Sequence, residues 1–166
     1  MLIKLPFLLP GSVFRSPMPF STYDRSSVWT KFQEEKIDLV VILVEQQEYL
    51  VFAGKDLPAF YRSQGLEVQH IPVPDLGIPE DMESWKNGLE TAKKAAGDGK
   101  NVVVHCLAGI GRTGIFLACL ARQVLNMEGE EAINWVRKSV PGAMENSRQE
   151  NFVIHYQPDN QRKKNN

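Results

Sequence analysis

The chain has 166 residues, of which 43% are hydrophobic, so it is long and apolar enough to bury the core of one domain. Its 19 Lys and Arg residues nearly balance its 20 Asp and Glu residues, which argues against nucleic acid as a general partner. It has only two cysteines and no Cys/His spacing typical of a metal site, so we expect neither a disulfide framework nor a bound metal.

The N-terminal segment is apolar but too short for a secretory signal. Pro6 and Pro10 confine its apolar run to residues 7–9, whereas the apolar region of a signal peptide needs about 7–15 residues. No other stretch approaches the roughly 18 apolar residues of a membrane span. We therefore expect no membrane insertion and a cytoplasmic location, with delivery into another cell left open.

Apolar patterns along the chain alternate between strands and helices. A first strand is expected before Arg15. A continuous β-branched run predicts a strand at residues 37–44, and residues 66–73 and 101–105 are two more strand candidates. The predicted helices start near Ser27 and after Pro79, cover residues 58–63, 114–127 and 128–140, and end with one that contains His155.

This alternation predicts an α/β fold with a central, mainly parallel sheet of four to five strands flanked by helices. We expect a single domain over residues 1–156. Residues 157–166 are polar and are expected to form a tail.

The stretch HCLAGIGRTG, residues 105–114, permits two interpretations. Gly109, Gly111 and Gly114 match the G-x-G-x-x-G pattern of a dinucleotide-binding loop. That pattern also needs an acidic residue at the end of a strand about 20 positions later, where this chain is predicted to be helical. The loop also comes late in the chain, with too little sequence left for the rest of such a domain. The dinucleotide interpretation is therefore disfavoured.

The other interpretation is a phosphate-binding loop with a nucleophile. A strand, a tight glycine-containing loop and a buried helix follow one another, so backbone N–H groups converge at the helix start and can hold a dianionic phosphate. The same field favours the thiolate form of Cys106. Arg112 offers a planar pair of donors that matches two phosphate oxygens.

Phosphoryl transfer from an ester also needs an acid for the leaving oxygen. The segment PVPDLGIPE, residues 72–80, carries Asp75 at the carboxyl end of a predicted strand, where ligands bind in parallel sheets. A turn or helix-capping role is the alternative for Asp75 taken alone. Combined with the Cys106 loop, the catalytic role is favoured.

With these residues the chain resembles a known family. VHCLAGIGRTG, residues 104–114, is similar to the H-C-x5-R-[ST] signature of the cysteine-dependent protein tyrosine phosphatases, and PDLGIP resembles the acid loop of their small dual-specificity relatives. PGAMENSRQENFV, residues 141–153, is similar to a glutamine-bearing segment of small atypical and archaeal dual-specificity phosphatases. The resemblance extends more loosely to kinase-associated phosphatases, covers most of residues 9–156, and implies a protein tyrosine phosphatase-like fold.

The resemblance implies a phosphomonoester hydrolase with a phosphocysteine intermediate. Cys106 would be the nucleophile, and the backbone of residues 107–111 would hold the phosphate together with Arg112. Thr113 would hydrogen-bond the thiolate, and His105 would order the loop behind it.

The resemblance also implies how the ester bond and the intermediate break. Asp75 would protonate the leaving group and then accept a proton from the hydrolytic water. Gln149 and Glu145 would position that water, although ordinary helix-start chemistry is an equal alternative for Glu145. The expected partner is a phosphorylated protein or a small phosphomonoester, without nucleic acid, with no cofactor, and with the chain as a monomer.

Other classes of protein remain as alternatives to a phosphatase of this family. A non-catalytic phospho-group-binding module could keep the loop, but it would not need Cys106, Arg112 and Asp75 together. A sulfurtransferase would have no use for Asp75 or Gln149. Arsenate reductases and low-molecular-weight phosphatases place the cysteine loop before the acid, the reverse of the order here.

The chain also departs from parts of the family. It has no convincing copy of the phosphotyrosine-recognition loop of tyrosine-specific members. Leu107, Ala108 and Ile110 stand where phosphatases of 3-phosphoinositides often carry Lys. This apolar loop interior argues against a polyphosphorylated inositol ring as substrate.

Two further residues have two interpretations each, and a third has one. Glu45, after the 37–44 strand, could brace Arg112, although a glutamate at the end of a strand is common. Arg15 could lie at the rim of the cleft or could simply be solvated. Cys119 lies in a segment that is apolar almost all round, so we expect it in the core.

Overall fold

A five-stranded sheet forms the centre of the protein, whose computed structural model describes residues 1–158. The strands are β1 (Ile3–Leu5), β2 (Val13–Ser16), β3 (Leu39–Ile42), β4 (Glu67–His70) and β5 (Val102–His105). They lie in the order β1-β2-β5-β3-β4, with β1 antiparallel to β2 and the other neighbouring pairs parallel. The prediction of a single-domain α/β fold around a mainly parallel sheet is confirmed.

Seven helices complete the described part of the chain. They are α1 (Val28–Glu34), α2 (Gln46–Phe52), α3 (Leu57–Ser63), α4 (Met82–Gly97), α5 (Gly111–Val124), α6 (Gly129–Ser139) and α7 (Ser147–His155). Six correspond to predicted helices, and α2 is additional. Between residues 1 and 158, none of them is both long enough and apolar enough to cross a bilayer. The expected tail begins at residue 157, and its part from residue 159 onward lies outside the described residues.

The central strands bring the loop of interest to one edge of the sheet. Every residue of β3 and β5 is buried, as their continuous apolar runs predict for strands covered on both faces. The parallel register sets His105 beside Ser16 of β2 and Ile42 of β3. Cys106 therefore leaves the sheet at its carboxyl edge, between the segments that follow two neighbouring strands.

Helix α5 runs through the core directly after that loop. Thirteen of its 14 residues are buried. It begins three residues before the predicted start, because Gly114 N–H already donates to Ile110 O at 2.9 Å, so Arg112 lies in the first helical turn. Cys119 is fully buried in this helix, as expected, and its burial raises the pKa of its thiol.

Candidate active site

The loop between β5 and α5 curls tightly around the sulfur of Cys106. It is held against the segment after β2, where Met18 N–H donates to Leu107 O at 2.9 Å. Gly109 has a φ of +76°, and a Cβ there would lie 2.2 Å from the backbone oxygen of Ser16, so this position requires glycine. The N–H of Gly109 donates to Cys106 Sγ at 3.3 Å. The curl therefore directs a backbone donor at the position where a phosphate would meet the sulfur.

The Arg112 side chain is only 3% exposed and is fixed by a carboxylate. Its Nη1 and Nη2 donate to Oε2 and Oε1 of Glu48 at 2.7 and 2.8 Å, and Nη1 also donates to Val73 O at 3.0 Å. Burial lowers the pKa of the guanidinium, but the hydrogen bonds to Glu48 and the charges of Cys106, Glu48 and Asp75 outweigh it and raise the pKa. The side chain is therefore charged and oriented in the free protein.

The carboxylate that braces Arg112 belongs to Glu48, so the interpretation of Glu45 as the brace is wrong. Glu45 is the exposed N-cap residue of α2, and its backbone N–H donates to Glu48 Oε2 at 2.8 Å. Sequence reasoning missed Glu48 because it missed α2. Tyr49 is the one buried residue of that helix, so a periodic apolar pattern is absent.

Asp75 reaches the same place from the segment that follows β4. Its Oδ1 lies 3.2 Å from Arg112 Nη2, and its side chain is 66% exposed. A cleft of about 110 Å³ connects the candidate residues; it is lined by Tyr23, Asp75, Leu76, Cys106, Leu107, Ala108, Gly111, Arg112 and Glu145. The structure thus brings Cys106, Arg112 and Asp75 together. Within residues 1–158, no group of three or more His, Cys, Asp and Glu side chains is placed to hold a metal ion.

His105 is fully buried behind Cys106 and holds its backbone. The ring Nδ1 lies 3.1 Å from Cys106 O, and Nε2 lies 3.1 Å from the hydroxyl oxygen of Tyr61. A carbonyl oxygen only accepts, so Nδ1 carries the proton and Nε2 accepts from the Tyr61 hydroxyl. Burial lowers the pKa of His105 to about 4, so the ring is neutral at pH 7. This geometry is the one expected of a residue that orders the loop.

Two other sequence candidates differ from expectation. Thr113 is buried, but its Oγ1 makes no hydrogen bond to any residue in the described range, so the expected bond to Cys106 is not made. Arg15 is half-buried on β2 instead of freely solvated. Burial lowers its pKa, and the nearby Cys106 acts in the opposite direction. Arg15 is thus a neighbour of the loop that does not line the cleft.

Glu145 and Gln149 approach the loop from the start of α7. Glu145 lines the cleft, whereas Gln149 is fully buried behind it. Gln149 Oε1 accepts from the N–H of Glu145 at 2.8 Å, and Gln149 Nε2 donates to Gly77 O at 3.1 Å. A Cβ on Gly111 would lie 2.0 Å from Glu145 Oε2, so glycine at this position lets the carboxylate approach the loop.

Known proteins are similar to this chain in sequence and in fold. A family model described as "Polymorphic toxin system, DSP-PTPase phosphatase" matches residues 19–124, more than half of the chain. Tyrosine-protein phosphatase 1 of Caenorhabditis elegans is 35% identical over 78 residues, which are 43% of this chain and 8% of that protein. The chain therefore spans a small part of the length of this relative.

Solved structures match over most of the chain. Tk-PTP in its active form is 29% identical with a TM-score of 0.71, and the match covers 87% of this chain and 89% of that one. A kinase associated phosphatase is 18% identical with a TM-score of 0.82, covering 92% of this chain and 91% of that one. The second likeness is one of fold alone, and both confirm the expected protein tyrosine phosphatase-like architecture.

Proposed function

This chain belongs to the DSP-PTPase phosphatase family of polymorphic toxin systems, and we propose that it hydrolyses phosphomonoesters as a cysteine-dependent protein tyrosine or dual-specificity phosphatase. The observation that carries the proposal is a single cleft lined by Cys106, Arg112 and Asp75. A nucleophile, a cation for the phosphate and an acid for the leaving oxygen are the parts that this reaction requires.

In the first step, the thiolate of Cys106 attacks phosphorus on the side opposite the ester oxygen. The S–P bond forms as the P–O ester bond breaks, and Asp75 gives its proton to the departing oxygen. Backbone N–H groups of residues 107–111 and the guanidinium of Arg112 hold the remaining phosphate oxygens. Arg112 is held by Glu48, and the N–H of Gly109 is directed at Cys106 Sγ, before the reaction, so these donors stabilise the transition state with little rearrangement of their own.

In the second step, water attacks the phosphorus of the phosphocysteine. The S–P bond breaks, the thiolate is restored, and Asp75 takes the proton from the water as phosphate is released. Glu145, which lines the cleft, positions that water, and Gln149, which is buried behind the cleft, supports it by accepting the N–H of Glu145.

The function is tested with an aryl phosphate and the variant Cys106→Ser. We expect the variant to lose all but a trace of hydrolysis and to keep its affinity for inorganic phosphate, because the backbone donors and Arg112 remain. Rapid-quench mass spectrometry of the wild type should trap a phosphorylated Cys106 peptide. Equal turnover by wild type and Cys106→Ser would contradict the proposal.

A non-catalytic phospho-group-binding module is the alternative. It predicts phosphate binding without turnover in the wild-type protein, so the same assay separates the two functions. Asp75→Ala, incubated with a panel of phosphopeptides and small phosphoesters, should then retain the substrate that the wild type releases.

The substrate is proposed at the level of class. Among the described residues that line the cleft, Arg112 alone has a cationic side chain, whereas Asp75 and Glu145 contribute carboxylates. This charge distribution supports a substrate with a single phosphate, as part of a protein or a small phosphomonoester. We propose that the protein acts in a cytoplasm. The words "polymorphic toxin system" in the family description support the alternative that it is delivered into another cell.

A further inference from the structure

Asp75 lies on a tight turn in a conformation that its residues do not favour on their own. Gly77 N–H donates to Pro74 O at 2.9 Å and closes the turn. Leu76, between Asp75 and Gly77, has a φ of +55°, in the left-handed region that is unfavourable for leucine. Other contacts must therefore stabilise this turn.

Two side-chain amides from the start of α7 supply such contacts. Asn146 Nδ2 donates to Leu76 O at 3.0 Å, and Gln149 Nε2 donates to Gly77 O at 3.1 Å. Consecutive carbonyls of the turn are thus held by residues about 70 positions later in the chain.

The same two amides are fixed at their other ends. Asn146 is the N-cap of α7, and its Oδ1 accepts from Gln149 N–H at 3.0 Å. Gln149 Oε1 accepts from Glu145 N–H at 2.8 Å. Backbone N–H groups only donate and carbonyl oxygens only accept, so each amide can be oriented in only one way. Each amide therefore connects the helix start to the turn.

The Asp75 carboxylate itself gives the turn little support once a phosphate is bound. It is 66% exposed, and its ion pair is with Arg112 Nη2. Both terminal nitrogens of Arg112 already contact Glu48, and Nη1 also contacts Val73 O. A phosphate oxygen that takes Nη2 as its donor displaces Asp75, because Glu48 already holds the other hydrogen of that nitrogen. From that moment the position of Asp75 depends on the backbone of its turn.

We infer that Asn146 is a positioning residue that, together with Gln149, keeps the Asp75 turn over Cys106 while phosphate occupies Arg112. This inference rests on the proposed role of Asp75 as the acid. Asn146 does not line the cleft, so it acts through the turn and not on the substrate.

Two substitutions separate this role from helix capping. Asn146→Ser and Asn146→Asp both keep an oxygen suited to the N-cap of α7, and both lose the donor to Leu76 O. The melting temperatures of both variants should stay within a few degrees of the wild type. Ser147→Ala, on the next and exposed residue, is the matched control.

The readout is kcat/KM for a series of aryl phosphates whose leaving phenols differ in basicity. This ratio reports cleavage of the P–O bond, the step that uses Asp75. A positioned acid contributes about 10²–10⁴-fold, and a displaced one contributes less. We expect both Asn146 variants to lose about threefold with the most acidic phenol and about thirtyfold with unsubstituted phenol. Ser147→Ala should follow the wild type throughout.

Asp75→Asn supplies the reference for complete loss of the acid. If Asp75→Asn shows a steep dependence on the leaving group while both Asn146 variants parallel the wild type, the inference is overturned and the proposed function stands. If Asp75→Asn itself parallels the wild type, the acid role fails and this inference fails with it. If kcat/KM of the Asn146 variants depends on the leaving phenol more steeply than that of the wild type but less steeply than that of Asp75→Asn, the inference is supported.

Discussion

The guanidinium of Arg112 and the carboxylate of Glu48 form a two-point hydrogen-bonded pair, with distances of 2.7 and 2.8 Å, on side chains that are 3% and 14% exposed. The same carboxylate accepts the N–H of Glu45, so the pair also ties the start of α2 to the start of α5. Arg112 is thus oriented by the protein before it meets a phosphate.

Replacing Glu48 should therefore damage both catalysis and stability. Glu48→Gln keeps one acceptor oxygen but puts an N–H₂ group against the guanidinium. We expect kcat/KM for an aryl phosphate to fall about 10- to 100-fold, because the guanidinium of Arg112 loses its fixed orientation. The free energy of unfolding should fall by about 1–3 kcal/mol, since a buried charge loses a bond. Glu45→Gln, at the exposed N-cap of the same helix, should change kcat/KM and the free energy of unfolding little. A comparable loss in that variant would contradict the role of Glu48 in orienting Arg112.

The neutral state of His105 predicts a pH dependence of stability. Its pKa is lowered to about 4 by burial, whereas an unfolded histidine titrates near 6.5. Between these values the unfolded chain binds the extra proton, so the stabilisation is complete above pH 6.5 and is lost as the pH falls towards 4. The loss should approach about 3 kcal/mol for this one group. Urea unfolding at pH 4.5–8 measures it, and the difference between wild type and His105→Asn should flatten above pH 6.5.

The backbone of the phosphate loop has no room for a side chain at Gly109. Gly109→Ala would bring Cβ to 2.2 Å from the backbone oxygen of Ser16, so the loop must open. We expect activity to fall about 100-fold or more as the donors lose their arrangement. Gly99→Ala is the control that separates backbone strain from a steric clash. Gly99 also has a positive φ, +87°, but a Cβ added there would have no atom within 4 Å. That control should cost about 1 kcal/mol and leave kcat unchanged. Full activity of Gly109→Ala, measured with an aryl phosphate, would show that the loop is not closely packed.

The two cysteines should react very differently with iodoacetamide. Cys106 lines the cleft although it is only 3% exposed, whereas Cys119 is fully buried away from the cleft and burial raises the pKa of its thiol. Peptide mass spectrometry at pH 7 should find Cys106 alkylated first, and inorganic phosphate should slow that reaction. Fast labelling of Cys119 in the folded protein would contradict the described burial.

Residues with a strong local signature were predictable from the sequence. The β-branched runs of β3 and β5 identify buried strands, and the Cys106 loop follows the second of them. Asp75 was predictable because a loop after a parallel strand opens at the same edge as Cys106.

Other parts of the site depend on tertiary contacts that leave no local pattern. Glu48 lies on α2, whose exposed Leu50, Val51 and Phe52 obscure any helical period. The local sequence around Asn146 indicates only an N-cap. Its hydrogen bond to Leu76 O forms because the fold places α7 beside the Asp75 turn. The bond of Glu48 to Arg112 likewise joins residues 64 positions apart.

The burial of Cys119 in α5 also affects how an oxidised Cys106 could be restored. Cys119 is fully buried in that helix and does not line the cleft onto which Cys106 faces. Its sulfur is therefore not placed to cap a sulfenic acid on Cys106. Recovery of an oxidised nucleophile would require a reductant from outside the chain, such as a small thiol.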